Sequence, residues 1–290
     1  MVNKIKLRAV WNVARSEYGK WITNPRMILV GVLLVFIRGF AIAPLLARAA
    51  RYGEPLHVLE PFLAVCNSRL SVFLLPCAFL LLISDFPVFG QNALFFLSRT
   101  GKKTWFFGQV LFAIMSIFTY VGVILLCCMG MSKGVFGSTW SNSVTQFNAA
   151  FPEEAGGFAG QLLPPNLYNQ MSLWSAFFWI VLLLFLYLFL LAMVLCLMKL
   201  WGLRSGGLFS AVGVIALGVT TCALKVPAMW YFPMANTIVW LHYEELLRKP
   251  VTPVSDSLLY FIVILALLFV GAFFALRKMQ LLNTEQEDEG

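Results

Sequence analysis

Charge is what this sequence has least of. Only 12% of its 290 residues are Asp, Glu, Lys or Arg, while 60% are hydrophobic and the mean hydropathy is +0.84. Soluble domains carry about 25% charged and about 45–50% apolar residues. A soluble globular class is therefore excluded and a polytopic membrane protein is expected. The chain has two histidines, His57 and His242, and its six cysteines form no CxxC spacing or Cys/His cluster. Neither a zinc site nor a disulfide framework is indicated, and the cysteines read as small buried hydrophobes. No polar stretch approaches the about 100 residues of an ordinary soluble domain. A phosphate-binding loop, G-x-x-x-x-G-K-[ST], is also missing. Its nearest approach is Gly101-Lys102-Lys103-Thr104, where Phe96 stands five positions before the glycine and a second lysine follows the first. No cofactor, metal or nucleotide is expected on this chain, so any use of ATP requires a partner.

What is there is a succession of apolar runs with basic ends. A spanning helix needs about 20 such residues. Six spans are expected, at residues 27–46, 70–83, 105–131, 173–198, 208–224 and 258–276, within a membrane domain covering 27–278. Residues 1–26 lack the apolar core of a signal peptide. They form an amphipathic pattern instead, with Leu7, Val10, Trp11, Ala14, Tyr18 and Trp21 at helical spacing and Lys4, Arg8, Asn12, Arg15 and Lys20 on other faces. Such a helix suits the headgroup plane of a lipid bilayer. Asn24-Pro25 breaks it, because the residue before proline is pushed out of helical geometry. Residues 279–290 form an acidic tail.

The net charge of +8 comes from residues scattered at the ends of apolar runs, which orients a membrane protein and does not bind nucleic acid. Of the 21 lysines and arginines, Arg38 lies within a span and most of the others fall on the side of the two termini. Positive charge is retained on the cytoplasmic side, so both termini are expected there, in the plasma membrane. Residues 48–69 are expected as an outer loop and 132–170 as an outer cap. Residues 226–249 are too short and proline-broken to cross. They read as a re-entrant hairpin between the fifth and sixth spans, with a helix over 235–247.

The stretch DFPVFGQNALFFLSRTGKKTWFFGQ, residues 85–109, joins the second and third spans on the basic side. It carries the apolar patch Leu94, Phe95, Phe96 and Leu97 and then a basic turn, and it reads as a short cytoplasmic helix that docks on a partner.

The whole layout resembles the membrane subunit of a type-2 ABC exporter, the ABC-2 permease family. The features that carry the resemblance are the amphipathic first helix, six spans with both ends inside, the basic helix between spans two and three, and the late re-entrant hairpin. The local match is SRTGKKTWFFGQ, residues 98–109. The resemblance implies an all-α permease with a cytoplasmic ABC ATPase subunit and a second permease subunit, identical or related, as partners. It implies a coupling helix over 89–99, with Phe89, Leu94, Phe95, Phe96 and Leu97 supplying apolar contacts and Arg99, Lys102 and Lys103 a polar rim. Alternating access would be driven from the ATPase. A membrane scaffold docking a non-ATPase partner through the same helix is the alternative.

Arg38 is a charge inside a span, which costs about 2.5–3.5 kcal/mol on insertion scales and faces protein or water when it is functional. It is a candidate for the substrate path or the subunit interface, set against snorkelling to the surface. Glu244-Glu245, followed by Arg248, is similar to the paired glutamates of intramembrane CAAX-type proteases. The arginine is one residue too close, and both histidines fall in expected outer loops. A solvated helix end with an ion pair is expected there.

Overall fold

A backbone in lipid has no water to bond, so each apolar run must satisfy its own amides as a helix. The computed structural model describes residues 7–87, 97, 99, 101–154, 156–203, 205–244 and 249–278. It is 80% helical, with no strand among the described residues. The elements are α1 (Leu7–Ile22), α2 (Ile28–Ile37), α3 (Ala43–Tyr52), α4 (Glu60–Asn67), α5 (Arg69–Leu82), α6 (Lys102–Ser132), α7 (Leu173–Leu200), α8 (Gly206–Leu224), α9 (Pro233–Thr237) and α10 (Val254–Lys278). A π-helical turn, Arg38–Ile42, joins α2 to α3. The continuous run Pro25–Tyr52 and helices α6, α7, α8 and α10 are long and apolar enough to cross a membrane. The pair α4–α5 makes a sixth if its two halves, bent by 79°, count as one span. The protein is an all-α, multi-pass membrane protein.

Helix α7 organises the bundle. Its sequence is apolar on every face, and such a helix is stable only inside others. It touches α4, α5, α6, α8, α9 and α10, and its most apolar stretch is 78% buried against only 22% for α10. The outer ring therefore offers its apolar surface to lipid. Within the ring, Pro76 interrupts α5, and the Tyr120 hydroxyl of α6 donates to the nearby Leu75 carbonyl at 2.9 Å.

Helix α1 lies against α6. Val10, Val13, Ala14 and Trp21 are buried, the Tyr18 hydroxyl meets Thr119 Oγ1 at 2.8 Å, and Trp21 packs edge-on against Phe112. The close approach requires Gly108, since a Cβ there would come within 2.6 Å of Val13. Small residues are how helices pack closely in membranes, where hydrophobic force between helices is absent. Leu7, Trp11 and Ile22 form a second apolar stripe that remains exposed. The expected apolar face is thus split between protein and surroundings, because the helix also buries Val13.

Residues 48–69 are not the outer loop the composition suggested. The first span runs on to Tyr52, and Arg48 is buried. After a turn, every residue of α4 is buried, against α5, α6, α7 and the π turn. Glu60 makes this possible. Its carboxylate accepts bonds from the His57 and Ser141 amides and the Ser141 hydroxyl at 2.7–2.8 Å. A carboxylate so surrounded can be buried, and it ties α4 to the 132–172 segment. That segment is a cap of short helices, including Asn142–Thr145, Phe147–Ala150, Phe158–Leu162 and Pro165–Tyr168.

Candidate functional site

The cluster at the C-terminal end of α5 starts from Asn24. Its side chain accepts the Arg26 amide at 2.9 Å, which sets the turn between α1 and the first span. That turn aims Arg26 at the end of α5, where its guanidinium donates to Asp85 Oδ2 at 2.6 Å and to Ser84 Oγ at 2.8 Å. Lys199, from the end of α7, donates to the Ser84 carbonyl at 3.1 Å. Phe86 is buried against Phe112 of α6. One short stretch, Ser84–Phe86, is therefore held by the first span, α6 and the central helix. The ion pair is exposed and contributes little stability of its own. Its value is positional, because the 85–109 stretch begins here.

The other end of that stretch is held too. Leu97 is buried in the chain's own core, and its carbonyl accepts the Gly101 amide at 3.1 Å. Gly101 has φ +84°, a left-handed conformation that favours glycine. The chain turns there into α6, where Thr104, Trp105 and Phe106 are buried. Of the residues the resemblance assigns to coupling, Phe89, Leu94, Phe95 and Phe96 lie outside the described residues. Leu97 points inward and anchors the segment, so it is not a free contact. Arg99 and Lys103 are exposed and Lys102 is partly so, which leaves the basic rim at the surface.

Arg38 opens the π turn at the centre of the 28-residue first span, and its side chain is exposed on the outside of the bundle with Gly39 and Phe40. At 1.5 Å per residue it is about 20 Å from either end of that helix.

The hairpin between α8 and α10 is built differently from the expected single helix over 235–247. Helix α9 stops at Thr237, Ile238 is extended, and a 3₁₀ turn, Val239–His242, follows; residues 245–248 lie outside the described residues. Asn67 at the α4–α5 break imposes this. Its Oδ1 accepts the Val239 amide at 2.8 Å and its carbonyl accepts the Trp240 indole N–H at 2.9 Å. The hairpin thereby covers the broken backbone between α4 and α5, which lipid could not satisfy. Nothing in the one-dimensional pattern marked Asn67. Glu244 is exposed, and among the described residues no group of three His, Cys, Asp or Glu could hold a metal.

The hairpin's lock is His242. Its Nε2 lies 2.7 Å from Ser257 Oγ of α10, which donates to Asn236 Oδ1, and its Nδ1 faces the Ile238 and Val239 carbonyls at 3.2 Å. Burial pushes the imidazole down to about 4, against the upward pull of those carbonyls and Asp256. The folded value lies below the unfolded one near 6.5, so the unfolded chain binds the extra proton first. Stability is lost as pH falls from about 6.5 towards 4 and is level below that, a loss of about 2 kcal/mol between pH 7 and pH 5. Thermal unfolding of the detergent-solubilised protein should show this slope, and His242→Gln should remove it. An unchanged slope in the variant would mean that another group titrates. Comparison of the chain with family models, with curated proteins and with solved structures gives no match.

Proposed function

We propose that this chain is the membrane-spanning subunit of an ABC-type exporter. It lies in the plasma membrane with both termini cytoplasmic, works as a pair of permease subunits, and takes its energy from a separate cytoplasmic ATPase. The observation that supports this reading most directly is the way both ends of the 85–109 stretch are held. A push on a docking segment there would pass through Asp85 to the first span and through Ser84 to α7, and at Gly101 into α6. Movement of several helices at once is what alternating access requires. The basic Arg99, Lys102 and Lys103 beside the segment, and the basic α1, support a cytoplasmic placement.

Copurification tests the proposal. The tagged chain, extracted from its native membrane in mild detergent, should bring down an ATPase in stoichiometric amount, with ATP hydrolysis in the purified complex. A preparation that contains a different cytoplasmic partner and no ATPase would turn the reading to the scaffold alternative.

A further inference from the structure

At the end of the bundle away from α1, the last two turns of α3 and the cap enclose a cavity of about 500 Å³. Arg48 lines it and is only 5% exposed. A buried guanidinium normally has a carboxylate, because removing its charge from water costs several kcal/mol. Among the described residues none lies within ion-pair distance. Its contacts are neutral: one nitrogen donates to Asn148 Oδ1 at 2.7 Å, another reaches the Ala159 carbonyl at 3.4 Å, and the Phe147 ring lies 4.3 Å from the guanidinium carbon. Among the described residues its Nε–H has no acceptor. The cavity does contain two carboxylates, Glu153 and Glu154, but both pair with Arg51 at the solvent-exposed mouth. Water and salt screen those charges, while the buried one is screened far less.

We propose that this cavity binds an oxyanion on the Arg48 guanidinium, most fittingly the phosphate head of an amphiphile. The position argues for the amphiphile. Arg48 sits one turn from the end of a membrane span, and Pro44, Ala47, Phe147 and Phe158 give the cavity apolar walls beside the cation. An arginine fork suits a phosphate, and Arg48 lines the cavity with no carboxylate partner among the described residues. The site does not depend on the transporter reading, since it is defined by the cavity and its uncompensated charge.

The test uses the full chain in an uncharged detergent. Two probes are titrated by isothermal calorimetry: dihexanoyl phosphatidic acid below its micellar concentration, and inorganic phosphate. The phosphatidic acid should bind, and Arg48→Gln should weaken it at least tenfold. Ala47→Trp provides a second variant if Arg48→Gln fails to fold. Ala47 is exposed on α3, and the indole should fill the cavity while the bonds of Arg48 remain. It should cause a similar loss. Phosphate binding as tightly as the lipid, with the same sensitivity to both variants, would keep the oxyanion site and make a free anion its occupant. The proposal is overturned if neither probe binds at millimolar concentration, or if binding survives in a folded Arg48→Gln or Ala47→Trp protein.

Discussion

In the proposed exporter, Phe95→Asp should leave the chain inserted and folded but reduce ATP-driven transport at least tenfold, with loss of the expected ATPase partner. The expectation follows from the chemistry of a docked apolar patch. Leu94, Phe95 and Phe96 are consecutive apolar residues in a stretch whose flanks are polar or basic, and the neighbouring Leu97 is spent on the chain's own core. That leaves the aromatic pair as the natural anchor for a partner groove. Truncating one such anchor costs about 2 kcal/mol or more, and a buried unpaired carboxylate adds its desolvation. Two to three kcal/mol corresponds to a roughly 30- to 150-fold weaker complex. Membrane insertion should be unaffected, since the residue lies between spans and the anchors Asp85, Leu97 and Gly101 are untouched. The measurement pairs transport and ATPase assays in vesicles with quantification of inserted protein. Full transport by a properly inserted Phe95→Asp chain would remove this segment from the coupling role.

The second large effect concerns α1. Gly108→Leu should detach α1 from α6, and Gly108→Ala should loosen it. Even one methyl would lie 2.6 Å from the Val13 side chain and 3.2 Å from the Val10 carbonyl. Overpacking of this kind costs about 1–3 kcal/mol, and leucine has no room to relax into because the neighbours are helix backbone and a β-branched side chain. Gly122→Ala on the same helix is the control, since a Cβ there meets nothing within 4 Å. Trypsin reads the outcome. Arg15 and Lys20 flank the buried face of α1, so a detached helix should be cut quickly while the wild type and Gly122→Ala are not. Resistance of Gly108→Leu would mean that α1 tolerates another seat on α6. If the proposed function holds, detachment should also impair coupling, because α1 leads into the Arg26–Asp85 contact.

Hydropathy was enough to specify an all-α membrane bundle, because in lipid an apolar run of about 20 residues has no other way to satisfy its backbone. The central place of α7 emerged only in the assembled bundle, where a helix apolar on every face is buried by its neighbours. The break at Asn24-Pro25 and the turn at Gly101 were legible because they depend on local backbone chemistry. Polar residues were misplaced wherever their partners came from far along the chain. Arg48 and Glu60 read as loop residues until Asn148 and Ser141, about 100 and 81 positions away, are seen to surround them. The helix expected over 235–247 gave way because Asn67, 172 positions earlier, takes the Val239 amide. The same limit applies to the candidate sites. The segment between spans two and three stood out by composition, whereas its anchorage to the first span and α7, and the unpaired guanidinium of Arg48, exist only through packing. Local periodicity encodes which residues avoid water; which buried polar atoms find a partner is decided by the tertiary structure, because those partners are brought together only when the helices assemble.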